Sequence, residues 1–271
     1  MTASVVLVHG AFHGGWCWTK VVDGLTAEGI EVIAVDLPGH GVGDTRPIGG
    51  LHGDAAAVRR VLDETPGPIV LVGHSYGGAV ISEAAAGRLG GTDGLGGTGG
   101  LGGTGGLGGT GGLGGTGGPD VAHLVYLAAV VPDKGEGIGG ASADVPPDDA
   151  EFTITGAFVP SGDGTAVRVA DEFVREIFYH DCTDADVAFA QERLSAQTTQ
   201  SFADTLDGAA WRDTPSTYVL CTDDRTVPLP VQRANAARTG TVVELPTSHS
   251  PFFSQPQLVV DLLASIARAN S

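Results

Sequence analysis

A short turn motif around Ser75 constrains the fold of this chain more than any other feature. It follows an apolar run at residues 69–72 and precedes a small-residue, helix-like stretch at 79–89, and it reads Gly73-His74-Ser75-Tyr76-Gly77-Gly78. Strand, turn and helix in this order are the setting in which G-x-S-x-G forms a nucleophile elbow, because the tight reversal lifts the serine hydroxyl clear of the sheet. Without that setting the motif would indicate only a glycine-rich turn.

Strand-like and helix-like segments alternate along most of the chain. The apolar runs lie at residues 5–8, 31–35, 69–72, 124–131, 217–220 and 241–245. Helical patterns lie between or after them, at residues 19–28, 54–64, 79–89, 229–238 and 257–268. Apolar runs without polar alternation are typical of strands covered on both faces. The sequence therefore predicts an α/β fold, with a mostly parallel sheet flanked by helices.

Two segments interrupt this alternation. Residues 90–118 hold four tandem Gly-Leu-Gly-Gly-Thr-Gly units, whose few apolar side chains cannot offset the entropy of ordering. This predicts a flexible loop produced by repeat expansion, although an ordered or partner-binding element stays open. Residues 132–211 begin with proline- and glycine-rich turns and continue with helical patterns, which predicts a small, mostly helical cap. The remaining core comprises residues 1–131, including the repeat, and residues 212–271.

Composition and charge exclude several classes of function. The formal charge is −18, from 32 acidic and 14 basic residues, and no cluster of basic residues is present that would bind phosphates. Nucleic acid is therefore not an expected partner, and neutral substrates suit the acidic surface better than anions. No basic, apolar leader and no membrane-length apolar run are present, so we expect a cytoplasmic protein without a membrane partner.

The three cysteines indicate neither a disulfide framework nor a zinc site. They are odd in number, far apart in the chain and without C-x-x-C spacing: Cys17, Cys182 and Cys221. No other metal or cofactor motif is present, so no cofactor is expected. The sequence leaves the oligomeric state open.

Residues that could complete a serine-based site follow Ser75 in a suitable order. Nucleophilic catalysis by serine needs a base and an acid that orients it, and in this type of fold the chain order is Ser, Asp, His. His249 lies just past the last predicted strand, which makes it the candidate base. Asp223 and Asp224 both end a strand and chain order does not separate them, but Asp224 stands four residues before Pro228 and is preferred.

The expected oxyanion donors are two backbone N–H groups. One belongs to Tyr76, directly after the serine, and the other to Ala11, in the loop after the first strand. His9, at the start of that loop, is expected to brace it rather than to act as a base. Phe12, Phe158 and Trp211 are the aromatic residues expected to contact an apolar or aromatic substrate.

Four segments together resemble the α/β-hydrolase superfamily. These are the opening at residues 5–18, the Asp-Leu-Pro-Gly-His-Gly segment at 36–41, the elbow at 73–78 and the closing segment at 248–256. Within the superfamily they are similar to the branch of plant methylesterases, hydroxynitrile lyases and bacterial esterases. The resemblance covers most of residues 4–89 and 119–271. It implies the α/β-hydrolase fold, the triad Ser75, Asp224 and His249, and the oxyanion donors Ala11 and Tyr76.

Two departures from this resemblance favour one activity within the branch. Its hydroxynitrile lyases carry threonine where this chain has Gly10, and lysine where it has Ser250. We therefore expect a serine hydrolase that cleaves a carboxylic ester, or a thioester or lactone, of a small apolar or aromatic compound through an acyl-enzyme. The alternatives are a hydroxynitrile or carbon–carbon lyase on the same scaffold, and a small-molecule binding protein without catalysis.

Overall fold

A single parallel sheet forms the centre of the molecule. The computed structural model describes residues 2–88, 121–145 and 154–271. All six predicted strands are present, namely β1 (Ser4–Val8), β2 (Val32–Val35), β3 (Ile69–His74), β4 (Val121–Leu127), β8 (Ser216–Cys221) and β9 (Thr241–Leu245). They pair in parallel in the order β2-β1-β3-β4-β8-β9. The carboxyl ends of the central strands therefore meet at one edge of the sheet.

Helices cover both faces of this sheet. One face carries α1 (Thr19–Ala27), α8 (Pro251–Ser254) and α9 (Pro256–Ala269), and the other carries α2 (Leu51–Glu64), α3 (Gly77–Ala84) and α7 (Leu229–Ala236). The side chains of β1 alternate between the two apolar cores, because successive residues of a strand point to opposite faces. Burial on both sides explains why these strands are continuous apolar runs.

The segment between β4 and β8 contains both helices and strands. Three helices occur where helical patterns predicted them: α4 (Asp171–Phe178), α5 (Asp184–Gln191) and α6 (Thr199–Ala203). A three-stranded antiparallel sheet, β5 (Phe158–Pro160), β6 (Ala166–Val169) and β7 (Gln197–Thr198), was not predicted. Strands of two to four residues are too short to show a period of two. The cap boundaries at 132 and 211 stay a prediction.

The glycine-rich repeat, predicted as a flexible loop over residues 90–118, lies outside the described residues. Within the described ranges, no helix has both the length and the apolar character that crossing a membrane requires.

Candidate active site

Ser75 occupies a strained turn at the carboxyl end of the central strand β3. Its φ is +53°, a left-handed conformation that residues with a side chain rarely adopt. The turn has room to form because the residues two positions before and after Ser75 are glycines. A Cβ on Gly73 would lie 2.5 Å from the Gly77 carbonyl oxygen, and one on Gly77 would lie 2.7 Å from the His9 carbonyl oxygen. The strand, turn and helix thus adopt the elbow that the sequence predicts.

The structure brings His249 and Asp224 into direct contact. His249 Nδ1 lies 2.6 Å from Asp224 Oδ2, and the two side chains are 1% and 0% exposed. The other oxygen, Asp224 Oδ1, accepts backbone N–H groups from Thr226 at 2.7 Å and from Val227 at 2.9 Å. These bonds fix the carboxylate, which in turn orients the imidazole and leaves its Nε2 as the remaining ring nitrogen.

Asp223 lies in a different environment from its neighbour. Its side chain is exposed, and its backbone N–H donates to the Thr247 carbonyl oxygen at 3.0 Å. Its carbonyl oxygen accepts a hydrogen bond from His180 Nε2 at 2.8 Å. Of the two adjacent aspartates, the structure thus places Asp224 against His249.

His74 joins His249 to the elbow. Its Nε2 lies 2.8 Å from the His249 carbonyl oxygen, and the two ring centroids are 4.5 Å apart. Because His74 directly precedes Ser75, this bond holds the segment of His249 beside the turn. Burial and the neighbouring histidines lower the pKa of His74 well below its ordinary value, so its ring is neutral there. Sequence reasoning did not single out His74, although its place in the elbow motif is a signal.

Ala11 and Tyr76, the expected oxyanion donors, flank Ser75. A Cβ on Gly10 would lie 2.8 Å from Ser75 Cβ, which shows how closely the loop after β1 passes over the serine. Neither the Ala11 nor the Tyr76 N–H donates a hydrogen bond to another residue in the described part of the chain. Both residues line the same cavity as Ser75. Two N–H groups are therefore available beside the serine.

The loop that carries Ala11 is braced by buried histidines. His9 bonds the Gly10 carbonyl oxygen through Nδ1 at 2.8 Å and accepts the Leu37 N–H at Nε2, 3.2 Å away. His13 Nδ1 bonds the Ala11 carbonyl oxygen at 2.8 Å. Burial lowers the pKa of His13 to about 3, so both of its nitrogens serve as fixed hydrogen-bonding groups rather than as proton carriers.

A cavity of about 340 Å³ opens in front of Ser75, and apolar side chains dominate its lining. The residues that line it are Ala11, Phe12, Ser75, Tyr76, Val130, Ile138, Phe158, Phe202, Thr226 and Val227. The two side-chain hydroxyls other than that of Ser75 are already engaged. Tyr76 Oη donates to Asp54 Oδ2 at 2.7 Å, and Thr226 Oγ1 donates to the Ile177 carbonyl oxygen at 2.6 Å. None of the lining residues that the structure describes is a lysine or an arginine.

Two of the three aromatic residues expected at the substrate line this cavity, and one does not. Phe12 and Phe158 pack against each other with ring centroids 5.5 Å apart. Trp211 lies elsewhere: its Nε1 donates to the Pro132 carbonyl oxygen at 2.9 Å, and it borders a separate surface pocket. The structure does not place Trp211 at this cavity, because the residue precedes β8, whose amino end lies at the edge of the sheet opposite Asp224.

Phe202 is a cavity residue that sequence reasoning missed. Its ring stacks on Phe158, with centroids 6.1 Å apart and planes 10° from parallel. It also lies 6.4 Å from the ring of Phe12. Phe202 belongs to the short helix α6, and nothing in that helical pattern separates a residue that faces the cavity from one that faces the core.

Among the described residues, one group of side chains could hold a metal ion, and it lies outside the cavity. His52, Glu83 and Asp207 each offer a ligand atom within 4.8 Å of the others. Glu83 is already paired with His52 Nδ1 at 2.7 Å, and Arg59 lies 3.9 Å from the same carboxylate. A neighbouring arginine disfavours a second cation, and none of these residues lines the cavity with Ser75.

Known proteins are similar to this chain in sequence and in architecture over most of their length. The model of the "Alpha/beta hydrolase family" matches residues 5–262. A pyrethroid hydrolase of Sphingobium wenxiniae is 29% identical, with 98% of this chain and 88% of that enzyme aligned. Methylesterase 18 of Arabidopsis thaliana is 25% identical, over 98% and 97%. The crystal structure of a pyrethroid hydrolase from Sphingobium faniae is 27% identical, with a TM-score of 0.75 and coverage of 99% and 98%.

The matched range, residues 5–262, includes Ser75, Asp224 and His249. The chain therefore belongs to the alpha/beta hydrolase family, as the motifs around residues 5–18, 36–41 and 73–78 suggested.

Proposed function

We propose that this chain is a serine esterase that cleaves carboxylic esters of small apolar or aromatic compounds, with Ser75, His249 and Asp224 as its catalytic triad. The observation that carries the proposal is the buried 2.6 Å contact between His249 and Asp224 beside a strained serine that opens onto an apolar cavity. The names of similar proteins, a pyrethroid hydrolase and a methylesterase, support ester hydrolysis as the reaction.

The proposed reaction proceeds through an acyl-enzyme. Ser75 Oγ attacks the ester carbonyl while His249 Nε2 takes its proton, and Asp224 stabilises the resulting imidazolium through Nδ1. The N–H groups of Ala11 and Tyr76 donate to the tetrahedral oxyanion. His249 then returns the proton to the departing alkoxide. A water molecule then attacks the acyl group while His249 takes its proton, and His249 returns that proton to Ser75 Oγ as the carboxylic acid is released.

The cavity lining supports a substrate that is neutral and apolar around the ester group. A charged or strongly polar substituent would lose its hydration there without finding a free partner, which is unfavourable. Three phenylalanines, Phe12, Phe158 and Phe202, offer ring surfaces to an aromatic or branched acyl or alcohol group. Thioesters and lactones with the same surroundings remain within the proposal.

The lyase alternative finds no support in the geometry around Gly10. A threonine at that position would place its Cβ 2.8 Å from Ser75 Cβ, closer than such atoms approach in proteins. Ser250, which stands where the lyases have lysine, is fully buried. We therefore expect no Ser75-dependent release of cyanide from mandelonitrile.

Hydrolysis of p-nitrophenyl esters of graded acyl length, combined with fluorophosphonate labelling, tests the proposal. Ser75→Ala should abolish labelling and lower turnover by roughly 10⁴–10⁶-fold, because the triad acts as a unit. Ser142→Ala, whose hydroxyl lies on an exposed turn, is the matched control and should behave like the wild type. Absence of labelling and turnover in the folded wild-type protein would favour the binding-protein alternative.

We also propose that the protein acts in the cytoplasm. All three cysteines are free and buried, which accords with a reducing compartment.

A further inference from the structure

Two residues of the segment between β4 and β8 hold the backbone of Phe12. The Ser195 N–H donates to the Phe12 carbonyl oxygen at 2.8 Å, and Ser195 Oγ reaches the same oxygen at 3.3 Å. The Phe12 N–H donates to Gln197 Oε1 at 3.4 Å. The two polar groups of Phe12 in the loop after β1 are thus both bonded to residues about 185 positions further along the chain.

Phe12 needs such support because its backbone is strained. Its φ is +68°, and a non-glycine residue keeps that conformation only where its surroundings hold it. The Phe12 N–H shares a peptide plane with the Ala11 carbonyl oxygen, which His13 Nδ1 bonds at 2.8 Å. This plane is therefore held at both ends, by Gln197 and by His13. It adjoins the Ala11 N–H, one of the two proposed oxyanion donors.

Gln197 also has a second partner, on helix α6. Its Nε2 donates to Ser201 Oγ at 2.7 Å, and Ser201 Oγ donates to the Gly49 carbonyl oxygen at 3.3 Å. The side-chain amide is thus held at both of its polar atoms, and Oε1 is directed at the loop of Ala11.

The burial of Gln197 argues that this link is more than incidental. The residue is 0% exposed, although it carries a polar amide. Burying an amide is unfavourable unless its groups are bonded, and here both Oε1 and Nε2 are bonded, with Oε1 accepting the Phe12 N–H beside the site. Other contacts already fasten this segment to the core, including Asp204 Oδ2, which accepts the Leu51 N–H at 3.0 Å. An anchor for the cap alone would not require a buried amide here.

We propose that Gln197 is a positioning residue, which holds the loop of the Ala11 N–H group in the geometry that stabilises the oxyanion. This inference rests on the proposed esterase function and adds to it a direct link between the cap and the chemical step. Gln197 does not line the cavity, so it acts on the transition state rather than on substrate binding.

The decisive variant is Gln197→Leu, which keeps the size of the side chain and removes both hydrogen bonds. We expect kcat for a p-nitrophenyl ester to fall by roughly 10–100-fold, somewhat less than the loss of an oxyanion donor itself, while KM changes by less than about threefold. Affinity for a trifluoromethyl ketone, which forms a tetrahedral oxyanion with Ser75, should fall in parallel with kcat/KM. Affinity for the corresponding non-hydrolysable ether should stay unchanged.

Gln191→Leu is the matched control, since this exposed glutamine on α5 belongs to the same segment. Equal kcat values in Gln197→Leu and Gln191→Leu would overturn the inference, as would a loss seen only in KM. If Gln197→Leu does not fold, Ser201→Ala decides, because it removes the partner that orients the Gln197 amide toward Phe12, together with the longer bond to the Gly49 carbonyl oxygen. Its kcat should fall by roughly 3–10-fold, and an unchanged value contradicts the inference.

The same assays separate this inference from the proposed function. A wild-type protein that turns over no ester and takes up no fluorophosphonate contradicts the function itself. A wild-type protein that is active, with Gln197→Leu equally active, contradicts only the role of Gln197.

Discussion

At the scale of single residues, hydrogen bonds distinguish side chains that the chain order alone does not. Asp223 and Asp224 are adjacent and both follow β8, and in the sequence only the spacing to Pro228 favours Asp224. The turn after Cys221 exposes the first and buries the second, where it accepts the N–H groups of Thr226 and Val227. Which of two adjacent side chains is buried depends on the direction of the backbone within the turn, and the types of the two residues do not determine that direction.

The two aspartates provide a matched pair for mutagenesis. Asp224→Asn should preserve folding and lower ester turnover by up to roughly 10⁴-fold, because an amide favours the wrong tautomer of His249; that magnitude is the known value for the corresponding change in a serine protease. Asp223→Asn should lower it far less, since its side chain is exposed. Steady-state kinetics with one p-nitrophenyl ester compare them. Equal losses in the two variants would contradict the assignment of Asp224.

The buried histidines predict that acid destabilises the fold. Burial lowers the pKa of His40 to about 4 and that of His13 to about 3, against about 6.5 in an unfolded chain. Between pH 6.5 and these values the unfolded state binds more protons, so the free energy of unfolding falls as pH falls. Urea denaturation at pH 7 and pH 5 should show this loss, of about 2 kcal/mol for each such histidine.

Replacing one of these histidines isolates its contribution. His40→Gln can retain a hydrogen bond to Ser195 Oγ, which lies 2.7 Å from His40 Nδ1, while it removes the titrating group. The loss between pH 7 and pH 5 should then shrink by about 2 kcal/mol. Burial raises the pKa of Asp54 to about 7, which opposes the trend, but both proteins carry Asp54 and its effect cancels. An unchanged pH dependence would show that His40 is not the neutral group described.

At the scale of elements, long apolar strands and amphipathic helices were predictable, whereas the short strands of the cap were not. β1 and β3 are buried on both faces, so their sequences are apolar throughout and easily recognised. β7 has only two residues, and its pairing with β6 depends on contacts distant in sequence. Gln197 was missed for the same reason: its partner Phe12 is 185 residues away in the chain and meets it only when the cap folds over the loop after β1.

Two glycines in neighbouring helices should respond in opposite ways to replacement by alanine. A Cβ on Gly78, in α3, would collide with the Val130 carbonyl oxygen and lie 2.9 Å from Ala129 Cβ. Gly78→Ala should therefore destabilise the protein by about 1–3 kcal/mol or more. Gly53→Ala, in α2, meets nothing within 4 Å and should stabilise it by about 0.5–1 kcal/mol. Thermal unfolding measures both, and the same sign of shift in the two variants would contradict the packing of α3.

At the scale of the whole molecule, the candidate site is built from parts of the chain that are distant in sequence and that the parallel sheet brings together at one edge. The serine follows β3, the aspartate follows β8 and the histidine follows β9. The order of these elements along the chain was enough to predict that the three side chains lie near one another, because the carboxyl ends of parallel strands lie at the same edge of the sheet. Trp211 shows the limit: it is close to Asp224 in sequence but lies beyond the other end of β8.

Removing most of the glycine-rich repeat should leave catalysis unchanged. Val121 pairs with Ile69 at the start of β3, about 20 Å of strand from Ser75, so the connection rejoins the sheet far from the site. Excising residues 94–117 shortens the connection between α3 and β4 from 36 to 12 residues, which changes its closure entropy by only about 1 kcal/mol. We expect kcat and KM within twofold of the full chain. A large loss of turnover at an unchanged melting temperature would assign the repeat a function.

The apolar lining of the cavity also bears on how the reaction ends. Hydrolysis converts a neutral ester into a carboxylate anion, and in the part of the chain that the structure describes no lysine or arginine lines the cavity to offset that new charge. The anion regains its hydration only by leaving, and the acidic surface, at a formal charge of −18, opposes its return. The apolar cavity that favours the neutral ester therefore disfavours the acid anion formed from it. We expect the reaction to run to completion with little inhibition by the acid product.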